Sequence, residues 1–238
     1  MSDLLSSTFT VGTDKYTIDR YATKTGAAKR PVVVIFHGVD GMVGESEKEV
    51  RKLAAQIGDE GYLVFLPHYL DPAPGSTIMP SRDVMVQRTV QVDTYRPRVT
   101  AAANYALSQP ETDPTRLGVI GLSLGGGLAL WYAQSVAPGT VKAAVDFFGH
   151  IGDPSIYSNA GKLPPTLVFH NYEDTIVNRV ASENLIAALA TARVVHDREI
   201  YREPPYPERF EHTFRPGGKA DLDSRARTIK WLDTYVKP

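Results

Sequence analysis

The sequence predicts an α/β fold: a mostly parallel central sheet with helices on both faces and an N-terminal hairpin. Three observations predict it. From Pro31 to the end, apolar runs of strand length alternate with segments of helical period, the pattern of consecutive strand–helix–strand units. Val32-Val33-Val34-Ile35-Phe36 is apolar without interruption, as suits a strand covered on both faces. Finally, Val119-Ile120 runs through Gly121-Leu122-Ser123-Leu124-Gly125-Gly126 into an apolar, helix-forming stretch, giving a strand, a tight turn and a helix in succession.

The elements follow in order. Thr8 to Val11 and Lys15 to Tyr21 alternate around Gly12-Thr13-Asp14 and form the hairpin. Pro31 opens the Val32–Phe36 strand. Glu45 to Glu60 is a helix with Val50, Leu53, Ala54 and Ile57 on one face, ended by Gly61. Tyr62 to Leu66 is a strand stopped by Pro67, and the Pro- and Gly-rich stretch from Pro67 to Pro80 is a long loop. Val92 to Ser108 is helical, with Pro97 expected to kink it or mark its true start. Arg116 to Gly121 and Leu124 to Val136 are the strand and helix of the serine turn. Val141 to Phe148 and Thr166 to His170 are strands, Asn178 to Ala190 a helix, Arg193 to Tyr201 a strand and Lys219 to Val236 a closing helix. The 238 residues read as one domain, 1–238, with no large separate lid unless Pro67 to Arg88 forms a small one.

Composition narrows the partners. Lys plus Arg number 26 against 27 Asp plus Glu, a net charge of −1 that speaks against nucleic acid. The apolar runs are too short to span a bilayer. With no signal-like N-terminus and no cysteine, the expected location is the cytoplasm, and neither disulfides nor thiolate metal sites can form. No helical histidine pair has metal-ligand spacing, and the glycines of 121–127 match neither a phosphate loop nor a dinucleotide fingerprint, so no metal or cofactor is expected.

The chemistry centres on Ser123. A turn of this kind holds its central residue in a strained conformation, with the hydroxyl exposed above the sheet at the positive end of the next helix. A serine needs a general base, and the base needs an orienting acid, which in this fold follow in the order Ser, Asp or Glu, His. Asp174, just past the Thr166–His170 strand, is the candidate acid; Glu173 and Asp146 are its rivals. Of the histidines, His37, His68, His150 and His170 lie in or beside earlier strands and His196 lies inside one. Only His212 follows the last strand, in a loop able to reach the turn. The oxyanion hole would use the N–H of Leu124 and one from His37-Gly38-Val39-Asp40-Gly41, with Val39 preferred over Gly38.

These residues resemble the dienelactone hydrolase family of α/β-hydrolases over nearly the whole chain. The likeness rests on the strand into His37-Gly38-Val39-Asp40-Gly41, on Gly121-Leu122-Ser123-Leu124-Gly125-Gly126, on the Asp174 loop and on His212-Thr213-Phe214. It implies an α/β-hydrolase fold, a Ser123–His212–Asp174 triad, and neither metal nor cofactor. Two positions depart from the best-known members, which carry Cys as nucleophile and Glu directly after the residue matching His37. Ser123 and Gly38 stand there instead, so the chain resembles a conventional serine esterase on that scaffold. The family often handles small carboxylated lactones, with arginines holding the carboxylate; Arg82 and Arg215 are the possible equivalents. Tyr69, Ile78, Met79, Tyr206 and Phe210 would shape an apolar pocket. The expectation is cleavage of a small-molecule ester or lactone by a monomer or small homo-oligomer that binds neither nucleic acid nor membrane. A thioesterase, small peptidase or perhydrolase on the same triad, and a non-catalytic ligand binder, stay open at this point.

Overall fold

A computed structural model describes residues 2–23, 29–202 and 212–238. The strands are β1 (Asp3–Val11), β2 (Asp14–Ala22), β3 (Arg30–Phe36), β4 (Leu63–Pro67), β5 (Thr112–Leu122), β6 (Val141–Phe147), β7 (Thr166–Asn171) and β8 (His196–Tyr201). The helices are α1 (Gly44–Asp59), α2 (Arg82–Val90), α3 (Val92–Leu107), α4 (Leu124–Ser135), α5 (Ser155–Ser158), α6 (Val180–Thr191) and α7 (Lys219–Tyr235). All eight strands join one sheet in the order β1-β2-β4-β3-β5-β6-β7-β8. The β1–β2 hairpin turns at Gly12 and Thr13 and adds antiparallel to β4, while every pairing from β4 to β8 is parallel. This is the α/β-hydrolase fold.

The uninterrupted apolar run of β3 divides by the strand's period of two. Val32, Val34 and Phe36 pack into the layer under α3 and α4, and Val33 and Ile35 into the opposite layer under α1 and α7. The amphipathic face predicted for α1 (Val50, Leu53, Ala54, Ile57) is buried there. With both faces covered, the open end of the sheet, at the carboxyl ends of the parallel strands, is left for chemistry.

Two expectations are corrected, and one stretch left unassigned is helical. After Pro80, Arg82–Val90 is a helix capped by Ser81, whose Oγ accepts the Val84 N–H at 3.4 Å. Its sequence has a weak apolar period because its outer face is exposed, so only the Ser81 cap and Asp83 in the first turn signal it. Pro97 does not mark the true start of its helix. It is the sixth residue of α3, and flanking arginines tie this turn down: Arg96 pairs with Asp93 at 2.7 Å, and Arg98 donates to the carbonyls of Tyr69 and Leu70 at 3.2 and 2.7 Å. Arg193 does not open β8. It takes a left-handed conformation (φ 57°) just past α6, with Val194 N–H bonded back to Leu189 O at 3.0 Å, and the strand begins at His196.

The close approach of α4 to β3 has a measurable consequence. A Cβ on Gly125 would stand 2.0 Å from the Phe36 carbonyl oxygen, and one on Gly121 would stand 2.1 Å from the Gly125 carbonyl oxygen. Backbone cannot yield as a side chain can, so Gly125→Ala is expected to destabilise the fold by at least about 2 kcal/mol in urea denaturation. Ala at Gly139, whose Cβ would meet nothing within 4 Å but whose φ is +81°, should show only the smaller cost of that conformation.

Candidate active site

Ser123 occupies the turn between β5 and α4 at φ 54°, ψ −118°, a region that costs a non-glycine residue about 1–3 kcal/mol. Three backbone bonds hold it there. Its N–H donates to Phe147 O at 2.9 Å, and its carbonyl accepts from Gly126 N at 2.9 Å and His150 N at 2.8 Å. Leu124 is the first residue of α4, so its N–H belongs to the unpaired donors of a helix start.

Asp174 follows β7, and its side chain is fully buried. Four donors surround its carboxylate. Oδ1 accepts the N–H groups of Ile176 and Val177 at 2.8 and 2.9 Å, while Oδ2 takes Nδ1–H of His212 at 2.8 Å and faces Nε2 of His170 at 3.1 Å. Burial alone would raise its pKa, but the hydrogen bonds from the two imidazoles and the positive field of His212 win and hold it at about 2. Because a carboxylate only accepts, the proton on His212 sits on Nδ1. That leaves Nε2 to accept the Ser123 hydroxyl, 2.9 Å away.

The loop carrying His212 is anchored two residues on. Phe214 is buried among Tyr201, Phe148 and Phe147 at centroid distances of 5.0, 5.5 and 6.3 Å, and Phe148 also meets the His212 ring edge-on at 4.9 Å. His212 therefore rests on an aromatic cluster at the ends of β6 and β8.

The opposite wall is the loop after β3. Gly41 N bonds Gly38 O at 3.2 Å, closing a turn in which Val39 N–H has no acceptor among the described residues. Arg88 of α2 clamps this loop: Nη1 donates to Val39 O at 2.9 Å, and Nη2 reaches both oxygens of Asp71 at 2.8 and 2.7 Å. A cavity of about 380 Å³ opens at Ser123 and His212 and runs between this loop, α1, Met79, Met85 of α2, and the start of α7.

The structure thus brings Ser123, Asp174 and His212 together, with Val39 on the cavity wall and Leu124 directly behind Ser123. Tyr69 is corrected: it is fully buried below the loop, stacked 4.5 Å from His37 and donating to His37 O at 2.7 Å, so it supports the loop and does not line the cavity. Arg82 and Arg215 are exposed, and neither lines the cavity. Arg82 begins α2, and Arg215 is exposed beside the buried Phe214. Met79 lines the cavity and Ile78 does not; Tyr206 and Phe210 lie outside the described residues. Glu173 is exposed, and Asp146 is enclosed behind the turn, where a Cβ on Gly126 or Gly149 would come within 2.3 and 2.1 Å of its Oδ1.

Sequence reasoning missed His170, Arg88 and Arg225. His170 reads as one more core position of a buried strand, although a histidine four residues before the acid was a signal. Arg88 lies in the unassigned helix, and Arg225 reads as one more charge on the closing helix. Among the described residues no group of three or more His, Cys, Asp or Glu side chains could hold a metal ion, and no helix is long and apolar enough to cross a membrane.

Comparison with known proteins agrees with this fold. The family model for the dienelactone hydrolase family matches residues 18–236. Among solved structures, a dienelactone hydrolase-like promiscuous phosphotriesterase from metagenomic libraries aligns with a TM-score of 0.81 and 19% identity, covering 98% of each chain. A dienelactone hydrolase from Anabaena variabilis aligns with a TM-score of 0.68 and 19% identity over 99% of each chain. An acylaminoacyl peptidase from Pyrococcus horikoshii aligns with a TM-score of 0.76 and 14% identity, over 99% of this chain and 42% of its own. At these identities the structures share the fold. No curated protein matches in sequence. The chain is an α/β-hydrolase by fold, and by its match over residues 18–236 it belongs to the dienelactone hydrolase family.

Asp146 generates a pH prediction. Burial pushes its carboxyl up to about 7, with the nearby His170 and the backbone N–H of Gly149 pulling the other way. The folded state therefore keeps a proton that the unfolded chain releases near pH 4, and stability drains away as pH rises from about 4 to about 7. In denaturant unfolding, Asp146→Asn should lose this slope. The variant should gain on the wild type across that window and hold a constant difference above it.

Proposed function

We propose that this hydrolase cleaves a small carboxylic ester or lactone through an acyl-enzyme on Ser123. One observation carries the reading: an unbroken hydrogen-bonded chain from Asp174 through His212 to Ser123 Oγ, at the mouth of a cavity of about 380 Å³. In the first step His212 Nε2 takes the hydroxyl proton as Ser123 Oγ attacks the carbonyl carbon. The negative charge that develops on the carbonyl oxygen falls between the N–H groups of Val39 and Leu124. His212, now protonated on both nitrogens, is stabilised by the Asp174 carboxylate and delivers its proton to the departing alkoxide. Water then attacks the acyl-enzyme with His212 again as base, and Ser123 is regenerated with release of the acid.

The fixed surroundings of Asp174 fit this role. With all four acceptor directions taken up, the carboxylate cannot rotate, and His212 is held in the tautomer that leaves Nε2 basic. A non-catalytic ligand binder would have no chemical need for this arrangement.

Ser123→Ala should lower kcat on p-nitrophenyl butyrate by at least about 10⁴-fold and abolish labelling by a fluorophosphonate, with an unchanged circular-dichroism spectrum. Turnover at the wild-type rate in that variant would overturn the assignment. A second prediction concerns the loop clamp. Arg88→Met removes the donor to Val39 O and should cost about 10- to 100-fold in kcat with little change in KM, since it loosens a group that acts on the transition state. An equal rise in KM at constant kcat would place Arg88 in ground-state binding instead.

A further inference from the structure

Resting on the serine-hydrolase reading, we propose that the cavity accepts an uncharged, apolar acyl group and rejects a substrate that carries a second carboxylate. Its volume, about 380 Å³, lies near the small end of ligand-binding cavities. The apolar side chains that line it include Leu122, Phe148, Val50, Leu53 and Met85.

A carboxylate buried in such a place needs a cation or several N–H donors to replace its water. Among the described lining residues, Arg225 is the one permanent cation, and all its N–H groups are committed. Nε donates to Asp221, Nη1 to Gln56 Oε1 at 3.1 Å and Nη2 to Glu49 Oε2 at 2.7 Å, while Nη1 and Nη2 also reach the Glu49 carbonyl at 3.5 and 3.4 Å. Since a guanidinium has no donor beyond five N–H groups, nothing is left to hold a ligand oxygen. Arg225 joins α7 to α1 and is structural.

Among the described lining residues the other formal charges are acidic: Glu45, Glu49, Asp221 and Asp40. Asp221 and Glu49 neutralise Arg225, while Lys48 and Lys52, which pair with Glu45 and Glu49 at 2.5 and 4.0 Å, do not line the cavity. Asp40 stands beside the nucleophile: a Cβ placed on Gly38 would lie 3.1 Å from Asp40 Oδ1 and 3.6 Å from Ser123 Cβ. His37, which lines the cavity with His212 and Arg225, stays neutral because burial pushes its imidazole down to about 3. A substrate carboxylate would lose its hydration and meet like charge in return.

Three p-nitrophenyl esters of matched length test this: the pentanoate, the glutarate monoester with its free carboxylate, and the glutarate methyl diester. The expected kcat/KM for the pentanoate is at least about 100-fold above that for the charged glutarate, a like-charge penalty of the usual size, with the uncharged diester within about tenfold of the pentanoate. Glu49→Gln should narrow the gap by about tenfold, and Glu45→Gln, at a more exposed position, by less. The proposal is overturned if the charged glutarate turns over within about threefold of the pentanoate, or if the diester is as poor as the charged ester. Binding of methyl pentanoate and monomethyl glutarate to Ser123→Ala reads the same cavity without turnover, and equal affinity there also overturns it. Absence of both fluorophosphonate labelling and hydrolysis in the wild type would instead count against the serine-hydrolase reading, leaving this binding comparison to decide the cavity's preference.

Discussion

The constraint on which the rest depends is steric. The start of α4 crosses the backbone of β3 so closely that Gly125 has no room for a Cβ, Gly121 at the end of β5 has none against the Gly125 backbone, and Gly126 has none against Asp146. Only because these positions lack side chains can the chain reverse within one residue and leave Ser123 at φ 54°, its hydroxyl at the rim of the sheet. The strain at Ser123 is supported by bonds to Phe147 at the end of β6 and to His150 just after it. The position of Ser123 is thus a property of three adjacent backbone segments and would not survive in an isolated turn.

Around that fixed point the other groups are placed by devices of different kinds. Polar saturation holds Asp174, which receives donors on every side, including a second imidazole, His170, whose other nitrogen meets Ser182 of α6 at 2.8 Å. Apolar packing holds the His212 segment, through Phe214 and its aromatic neighbours. A guanidinium holds the loop after β3, through Arg88, and links it to a helix whose Met85 also faces the cavity. Each device acts on a group with few internal restraints, since all three lie on loops at the carboxyl ends of strands.

The charges near the cavity are organised for structure before recognition. Arg225, Asp221 and Glu49 join α7 to α1 beside the substrate space, and Asp221 also accepts the Gly217 N–H at the start of α7. Fully paired, such a cluster gives a ligand little to bind. Among the described lining residues the acids outnumber the one permanent cation.

The sequence by itself determined the sheet, the serine turn and the three residues that meet there. Those signals are local: the period of apolar residues, the glycines around Ser123, and the order in which acid and histidine follow it. It left α2 unassigned because that helix is held by Arg88 and a serine cap and shows no strong apolar face. It started β8 at Arg193, three residues early, because a left-handed turn with a β-branched neighbour looks like strand in one dimension. Only the tertiary structure decided the surroundings of the site. Arg82 and Arg215 stand exposed, Tyr69 packs beneath the loop after β3, and Arg88, His170 and Arg225 take up positions that depend on partners up to 176 residues away, such as Glu49 for Arg225. Contacts of that range leave no periodic trace in a chain, because neither partner's neighbours reveal what lies across the fold.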